Sequence, residues 1–163
     1  LENVTISAIR ADINTPISFN NVEKKQIEIE NIGKDLPMVL KNLPSVVTTS
    51  DAGAGVGYTG IRIRGSDASR VNITINGFPF NDAESHGTYW VNLPDFVSSV
   101  EEIQVQRGVG TSTNGSGAFG ASININTENP SKNPFSSLSS SFGTFATFKN
   151  TLKFPKKNKP KIG

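Results

Sequence analysis

The sequence lacks cysteine altogether and contains a single histidine, His86, and these two shortages exclude several kinds of site. Without cysteine there is no disulfide framework, no thiolate metal site and no cysteine nucleophile. One histidine cannot build a multi-histidine metal centre, and nothing around His86 resembles the nucleophile turn of a serine hydrolase. The residue types therefore offer no catalytic group and no metal site, and we expect no cofactor.

Charged residues and long apolar runs are also scarce. Charged residues make up 18% of the chain, and no apolar stretch approaches the roughly 18 residues of a transmembrane helix. The net charge of +2 is unevenly distributed, because residues 149–163 hold six lysines and no acidic residue while the rest of the chain carries −4. A basic tail without interleaved aromatic side chains does not indicate a nucleic-acid partner.

Apolar residues at helical spacing predict two short helices near the start of the chain. The first spans residues 22–32 and contains Ile27. The second spans residues 35–43, where Asp35 can cap the start and Pro44 ends the helix. Its apolar residues have the spacing of one helix face and are Leu36, Val39, Leu40 and Leu43.

The pattern then changes to alternation of apolar and polar residues, which predicts four half-buried strands. Their apolar residues are Ile61 and Ile63, then Val71, Ile73 and Ile75, then Ile103 and Val105, and finally Ile123 and Ile125. Asn76-Gly77 is typical of a two-residue turn, and Pro79 places the second strand at a sheet edge. We predict an α+β fold, in which short helices cover a small mixed four-stranded sheet with long glycine-rich loops.

Two glycine-rich loops, at residues 53–65 and 108–120, each contain the spacing G-x-G-x-x-G. In a dinucleotide site this motif opens a helix whose N-terminus receives the pyrophosphate. Here each motif runs directly into a predicted strand, so we interpret both as tight turns. Glu101 and Glu102 do not form a catalytic pair, because neighbouring residues of a strand point to opposite faces. We predict that the protein is not an enzyme.

The composition changes after a predicted linker at residues 129–134. From residue 138 to residue 154, apolar side chains recur at even positions and polar ones at odd positions, with Phe145 as the exception. This alternation is typical of strands in a membrane β-barrel, and a disordered tail rich in Ser and Phe is the alternative. Two strands cannot close a barrel, so residues 135–163 would be an incomplete start of one, with a Lys-rich tail.

Six motifs, in order along residues 1–128, resemble the plug domain of TonB-dependent outer-membrane receptors. They are ENVTISA at 2–8, DLPMVLKNLPSV at 35–46, GIRIRG at 60–65, VNITING at 71–77, VEEIQVQRG at 100–108 and GAFGASINI at 117–125. The chain departs from the usual pattern at Ser45, where glycine is common, at Val109, where proline is common, and at Phe119, where tyrosine is common. The resemblance implies a plug at residues 1–128, followed by one or two barrel-type strands.

The resemblance also implies a function. Such plugs gate and sense ligand for active transporters in the outer membrane of Gram-negative bacteria, which import scarce nutrients such as ferric siderophores, haem or cobalamin. The implied partners are the C-terminal domain of TonB, the receptor's own C-terminal β-barrel, which is missing from this chain, and a small-molecule or metal-chelate ligand. The plug would lie inside the barrel with its N-terminus in the periplasm. The alternative is a stand-alone periplasmic or surface binding module with a plug-like fold.

The segment at residues 2–8 resembles the TonB box. A short β-prone segment can add as a strand to an exposed sheet edge of a partner, and backbone hydrogen bonds then supply the affinity. The alternative is that the segment is the first edge strand of the plug itself. The candidate TonB-interacting residues are Glu2, Asn3, Val4, Thr5, Ile6, Ser7 and Ala8.

Arg64 and Arg107 match two family arginines that pair with glutamates of the barrel. Arginine suits this role because it is permanently charged and binds a carboxylate through two parallel hydrogen bonds. The resemblance therefore implies that both residues latch the plug to the barrel. The alternative is an ion pair with Glu101 or Glu102 inside the chain, and without the barrel we expect both arginines to be hydrated.

Ligand contacts are expected on the loops at residues 50–60, 66–70 and 78–92, which would face the outside of the cell. Aromatic and polar side chains on loops held by a rigid sheet suit ligand binding. Trp90, in contrast, is predicted to anchor the core. The candidate contacts are Tyr58, Asp67, Arg70, His86 and Tyr89.

Overall fold

Strands and short helices alternate along residues 10–110, 117–129, 135–144 and 146–154, the part of the chain that the computed structural model describes. The strands are β1 (Ser18–Glu23), β2 (Val46–Ser50), β3 (Thr59–Ile63), β4 (Val71–Ile75), β5 (Phe78–Pro79), β6 (Val100–Arg107), β7 (Ala121–Thr127), β8 (Ser137–Phe142) and β9 (Phe148–Lys153). The α-helices are α1 (Lys24–Glu30) and α2 (Leu36–Val39), and 3₁₀ turns occur at Ala68–Arg70, Trp90–Asn92 and Phe96–Ser99. None of the helices in these ranges has the length and apolar content that crossing a membrane requires.

A five-stranded mixed sheet forms the centre of the first compact unit, which ends at Thr127. The strand order is β1-β6-β7-β4-β5. Strands β4 and β7 are parallel, and the other neighbouring pairs are antiparallel. The parallel pair needs a long crossover, which the chain between β4 and β7 supplies. The predicted α+β class, a mixed sheet with short helices, is confirmed.

The membership of the sheet differs from the four predicted strands. The strand that contains Ile61 and Ile63 is β3, and it pairs with β2 in a separate two-stranded sheet. Strand β2 was not predicted, because its sequence VVTTS lacks the alternation of a half-buried strand. Strand β1, whose last two residues were predicted to be helical, pairs with β6 at the edge of the main sheet.

Both predicted helices are shorter than their periodicity indicated. Val22 belongs to β1, where it pairs with Ile103 across the sheet, so α1 begins only at Lys24. Helix α2 ends at Val39, and the chain continues through turns to Leu43. At Val22 tertiary pairing overrides the local helical pattern, whereas after Val39 local turn hydrogen bonds replace the helix.

Asp35 stands at the N-cap position of α2, but its carboxylate makes no capping hydrogen bond there. It accepts instead a 2.8 Å hydrogen bond from the hydroxyl of Thr59 in β3. The backbone N–H of Asp35 donates to the carbonyl of Gly55 at 2.9 Å. The predicted side-chain cap is therefore wrong, because the carboxylate joins α2 to β3.

The turn after β4 has the predicted form. Asn76 and Gly77 both have positive φ angles, of 52° and 85°, and connect β4 to β5 as a tight hairpin. Pro79 lies in β5, the edge strand. The strand predicted to lie at the edge, β4, instead lies between β5 and β7.

One hydrophobic core lies between the main sheet and the helices. Helix α1 contributes Ile27, helix α2 contributes Leu36, and Trp90 belongs to this core as predicted. The sheet contributes large, fully buried side chains from three strands, namely Ile73, Ile103, Ile123 and Ile125.

The polar face of β6 and β7 is buried as well, although strand alternation predicted that it would be exposed. Its side chains are at most 2% exposed and are Gln104, Gln106, Ser122 and Asn124. The chain before β1 contacts this face, where the backbone of Ala11 forms hydrogen bonds with Gln104. The prediction of half-buried strands is therefore wrong for β6 and β7.

The second unit begins at Glu128 and contains a hairpin formed by β8 and β9. Leu138 pairs with Leu152, and Phe142 pairs with Phe148 with ring centroids 4.8 Å apart in an edge-to-face arrangement. All four side chains are exposed. Residues 137–142 and 148–153 are thus strands rather than a disordered tail, and their assignment to a barrel stays a prediction. Residues 130–134, 145 and 155–163 lie outside the described residues.

Candidate functional site

The strand register defines two ends of the main sheet, and three predicted site residues, Arg70, His86 and Arg107, lie at one of them. Neighbouring strands place Ser18, Arg107, Ala121 and Val71 side by side at what we name the Arg107 end. The opposite end contains Glu102 and is named the Glu102 end. Five residues along β6 separate these two ends, which corresponds to roughly 17 Å.

A cavity of about 510 Å³ lies at the Arg107 end. Arg70 directly precedes β4 and Phe119 closely precedes β7, so the parallel pairing of these strands brings the two residues together. The volume falls within the roughly 300–1,000 Å³ of small-molecule sites. Two predicted ligand contacts, Arg70 and His86, thus share one cavity. It is lined by Ser69, Arg70, His86, Gly117 and Phe119.

The loop that carries His86 is fixed to β4 by the side chain of Asn81. The Oδ1 of Asn81 accepts a 2.7 Å hydrogen bond from the N–H of Ile73. Its Nδ2 donates to the carbonyls of Val71 and His86, both at 2.9 Å. His86 has a φ of 56°, a conformation that a non-glycine residue keeps only when its surroundings impose it. The loop is therefore a rigid support for the imidazole.

Asp82 closes the same loop into a turn. Its carboxylate accepts hydrogen bonds from the N–H and the hydroxyl of Ser85, at 2.7 and 2.8 Å, and from the N–H of Glu84 at 3.1 Å. The hydrogen bonds from the backbone and hydroxyl of Ser85, with a smaller contribution from nearby His86, lower the pKa of Asp82. The ionised carboxylate is thus the form that closes the loop.

Asp67, another predicted contact, lines neither this cavity nor the smaller one described next. Its carboxylate accepts hydrogen bonds from the hydroxyl and N–H of Ser69, at 2.6 and 3.2 Å. The Ser69 hydroxyl, and then the charge of Arg70, lower the pKa of Asp67. Asp67 thus caps the 3₁₀ turn Ala68–Arg70 and positions Arg70.

The two predicted tyrosines line the smaller cavity, of about 250 Å³. Tyr58 and Tyr89 are both exposed, and the buried Trp90 also lines this cavity. The hydroxyl of Thr88, also in the lining, is buried and has no hydrogen-bond partner among the described residues. Ala68 borders this cavity while Ser69 and Arg70 border the larger one, so one short turn contributes to both.

Arg107, a candidate latch residue, is bound by its own chain. Its guanidinium donates to Oδ1 of Asn20, to Oγ of Ser18 at 2.8 Å, and to the carbonyl of Pro44 at 3.5 Å. Strand β1 therefore fixes the orientation of this side chain. The expectation that Arg107 is simply hydrated is wrong.

Arg64, the other candidate latch residue, lies beside the same turn. Its N–H donates to the carbonyl of Ser45 at 3.0 Å, one residue after Pro44. Its guanidinium packs against Gly108, where an added Cβ would lie 3.0 Å from Nη1. The side chain is exposed. The fold thus brings Arg64 close to the residue that follows Arg107.

The acidic residues suggested as intrachain partners are engaged elsewhere. Glu101 pairs with Lys24 at 3.1 Å, and Glu102 pairs with Arg10 at 2.5 Å. Within the described ranges, no carboxylate forms an ion pair with either latch arginine. The intrachain alternative is therefore wrong, and among the described residues the two arginines have no carboxylate as a counter-charge.

Two further predictions concern the chain start and metal binding. The candidate TonB-box residues 2–8 lie outside the described residues. In the part of the chain that is described, no cluster of His, Asp and Glu side chains could hold a metal ion.

Sequence reasoning missed Asn81 and Phe119. The ring of Phe119 is exposed in the lining of the larger cavity. Its position just before a predicted strand is the sequence feature that could have identified it as a candidate contact. The role of Asn81 had no local signal, because its partners Ile73 and Val71 lie in a different element.

Comparison with known proteins finds relatives of this chain. Residues 11–122 match the family described as TonB-dependent Receptor Plug Domain. The Vitamin B12 transporter BtuB of Vibrio vulnificus is 33% identical over 110 residues, which cover 68% of this chain and 17% of BtuB. The chain therefore spans about a sixth of the length of that relative.

Solved structures with the same fold belong to much longer chains. The siderophore receptor PiuA from Acinetobacter baumannii matches 96% of this chain and 21% of its own, with a TM-score of 0.68 and 23% identity. The ferric yersiniabactin uptake receptor FyuA from Yersinia pestis matches 85% of this chain and 21% of its own, with a TM-score of 0.63 and 16% identity. At these identities the likeness establishes the fold.

Proposed function

The chain belongs to the family of TonB-dependent receptor plug domains, and from this premise we propose that it is the gate and ligand sensor of an active transporter. The transporter lies in the outer membrane of a Gram-negative bacterium. Its substrate is a scarce nutrient such as a ferric siderophore, haem or cobalamin. The plug performs no chemistry on that substrate.

The observation that carries this proposal is the pair of cavities around the turn Ala68–Arg70. A ligand sensor needs a concave surface on which a few polar groups are held by a rigid scaffold. Arg70 and His86 supply charged and hydrogen-bonding groups, and Phe119 supplies an apolar wall. The ligand contacts these residues in the larger cavity and the two tyrosines in the smaller one.

The latch follows from the arginines at the Arg107 end. Arg64 and Arg107 have no carboxylate partner among the described residues. The Arg107 guanidinium and the Arg64 backbone N–H both bind the turn before β2, and the Arg64 guanidinium lies against Gly108. Glutamates of the receptor's own C-terminal β-barrel complete these pairs. Breaking a buried pair from one side costs about 3–5 kcal/mol, so the latch holds the plug until it rearranges during transport.

The ends of the chain connect the plug to its other partners. Residues 2–8 bind the C-terminal domain of TonB in the periplasm by adding as a strand to its sheet. The hairpin of β8 and β9 begins the barrel, and its exposed apolar face, which includes Leu138 and Phe142, suits contact with lipid.

Uptake by the full-length receptor tests the ligand site. Cells that express the receptor are given radiolabelled cyanocobalamin, haemin or a ferric catecholate, and the uptake rate is measured against concentration. Arg70→Ala and His86→Ala are each expected to weaken uptake of the transported compound about tenfold, because a charged hydrogen bond contributes roughly 1.5–3 kcal/mol. The control is Arg62→Ala, since Arg62 is exposed on β3 and lines neither cavity. Equal uptake by the Arg62 and Arg70 variants would show that the cavity does not contact the ligand.

Binding of the purified C-terminal domain of TonB tests the partner. Val4→Pro removes a backbone N–H and is expected to abolish binding, whereas Val4→Thr keeps the N–H and retains it. Undiminished binding by the proline variant would refute the strand-addition assignment. A chain that binds ligand but supports no uptake and no TonB binding would instead be the stand-alone binding module.

A further inference from the structure

The tight turn between β4 and β5 is built from Asn76 and Gly77, a pair whose side chain and backbone can react with each other. The backbone nitrogen of a glycine can attack the amide carbon Cγ of the preceding asparagine, because glycine has no side chain to obstruct the approach. Asn76 is exposed, so water reaches the turn. Asparagine and glycine are favoured here because both residues have positive φ. The residue types that suit the turn are therefore also open to this reaction.

Hydrogen bonds to the end of β7 hold the Asn76 side chain. Its Nδ2 donates to Oγ1 of Thr127 at 2.8 Å, and its Oδ1 accepts from the N–H of Thr127 at 2.9 Å. The Thr127 hydroxyl also lies 3.3 Å from Oδ1. The backbone N–H of Asn76 donates to the carbonyl of Ile125 at 2.8 Å. Both polar atoms of the side chain, and the backbone N–H, are thus bound to one strand.

The strand order sets the side of β4 on which this amide is held. Strand β7 lies on one side of β4, whereas β5, into which Gly77 leads, lies on the other side. The Asn76 amide is therefore bound on the side opposite to the one toward which the chain turns. From these contacts we propose that Asn76 is a modification site, at which Thr127 suppresses conversion of the asparagine to aspartate or isoaspartate.

The reaction needs only the chain and water. A bond forms between the backbone nitrogen of Gly77 and Cγ of Asn76, and the bond from Cγ to Nδ2 breaks. The side-chain nitrogen leaves as ammonia and takes with it the proton of the Gly77 N–H. Water then opens the cyclic imide at either of its two carbonyl carbons, which gives aspartate or isoaspartate. To reach the Gly77 nitrogen, Cγ must turn away from β7, so the amide first gives up its hydrogen bonds to Thr127.

The two products have different effects on the turn. Aspartate leaves the main chain unchanged, and its carboxylate accepts hydrogen bonds from the N–H and the hydroxyl of Thr127. Isoaspartate adds a methylene group to the main chain directly after Ile75, which pairs with Phe78. Because turn length fixes the register of a hairpin, β5 then loses its pairing with β4. These contacts all lie within the main sheet, so the inference does not rest on the proposed function.

Peptide mapping by mass spectrometry measures conversion at each asparagine of the 163-residue chain at neutral pH, with and without guanidinium chloride. Asn114 also precedes a glycine, and in the unfolded chain it gives a reference rate that Asn76 should match. In the folded chain, conversion at Asn76 is expected to be roughly 25-fold slower than in the unfolded chain, because two hydrogen bonds must open first and each contributes about fivefold. Equal conversion of Asn76 in the folded and unfolded chains would overturn the proposal.

Substitutions at Thr127 test its role. Thr127→Val removes the hydroxyl but keeps the N–H, and is expected to speed conversion at Asn76 about fivefold. Thr127→Ser keeps the hydroxyl and should be as slow as wild type. The matched control is Ser122→Ala in the same strand, because the buried Ser122 hydroxyl has no hydrogen-bond partner among the described residues. Equal rates in the valine and serine variants, or an equal rise in the Ser122 variant, would overturn the role of Thr127.

The products are compared in the wild-type chain after ageing. Aged chains are separated by charge, and isoaspartate is identified by enzymatic methylation. The isoaspartate fraction is expected to unfold at a lower urea concentration than the unaged chain, whereas Asn76→Asp should unfold at the same concentration. Equal midpoints for the isoaspartate fraction and the unaged chain would contradict the loss of β5 pairing. If Thr127→Val fails to fold, the comparison of folded and unfolded wild-type chains still decides whether the fold protects Asn76.

Discussion

A methyl group added at Gly120 is expected to lower the stability of the first unit by about 3 kcal/mol. Gly120 directly precedes β7, and a Cβ at this position would lie less than 3.0 Å from both Cβ and Oγ of Ser66 and 3.3 Å from the carbonyl oxygen of Arg70. Non-bonded carbon atoms are most stable at about 3.5–4.0 Å. Rotation of the Ser66 side chain does not relieve the overlap, because its Cβ is attached directly to the backbone.

The size of this loss of stability follows from the backbone movement that the added methyl group requires. One of the two backbone segments has to shift by at least about 0.5 Å. That shift disturbs the 2.9 Å hydrogen bond from the N–H of Gly120 to the carbonyl of Arg70. Overpacking costs about 1–3 kcal/mol. The upper value is expected because the added Cβ meets the Cβ of Ser66 and a backbone oxygen, and not the movable end of a long side chain. A loss of this size lowers the Tm by roughly 6–12 °C.

Urea unfolding followed by tryptophan fluorescence measures the effect, since Trp90 is the only tryptophan and is buried in the core. The matched control is Gly117→Ala in the same loop, where an added Cβ meets no atom of the described residues within 4 Å. Adding Ser66→Gly to Gly120→Ala removes the overlapping side chain and should recover most of the loss. Equal unfolding midpoints for the two alanine variants, or no recovery in the double variant, would refute the reasoning.

Three other substitutions test further parts of the structure. Ser45 has a φ of 62°, so Ser45→Gly is expected to stabilise the chain by about 1 kcal/mol in urea unfolding; no gain would mean that the turn is unstrained. Asn81→Ala leaves the N–H of Ile73 without its partner and should cost about 2 kcal/mol, with faster amide exchange around His86; slow exchange there would show that the loop holds without Asn81. Asp82 has a pKa below its usual 3.8 in the folded state, so the folded state binds fewer protons than the unfolded one near that pH. Its contribution is present above pH 3.8 and is lost as the pH falls through the folded pKa, so Asp82→Asn should flatten the acid side of a stability–pH curve, and an unchanged curve would contradict this.

The arrangement of the candidate sites on the main sheet has a simple cause. Arg70 and Phe119 lie far apart in the sequence, yet each comes just before a strand of the parallel pair β4 and β7. Parallel pairing places the first residues of both strands at the same end of the sheet. The larger cavity is therefore a consequence of topology, and β6, which runs antiparallel to β7, places Arg107 at the same end.

Local patterns were sufficient to locate several elements. The strands around Ile73, Ile103 and Ile123 were predicted from alternation, because the pleat repeats every two residues and one face must be apolar. The turn at Asn76-Gly77 was predicted because a tight hairpin turn needs positive φ at both central residues. The predicted ligand contacts Arg70 and His86 lie in one cavity, whereas Tyr58 and Tyr89 lie in another, and no local pattern distinguishes these two groups.

The sequence by itself thus determined where most chain segments extend, where they turn, and which family of folds they form. Tertiary structure alone decided which distant segments contact each other. Val22 belongs to a strand instead of a helix because it pairs with Ile103. Gln104 is buried because Ala11 lies against it. Alternation specifies that a strand has a polar and an apolar face, but a polar face becomes buried only when another chain segment satisfies its hydrogen bonds. That segment lies more than ninety residues away in the sequence, so only the folded chain reveals the contact.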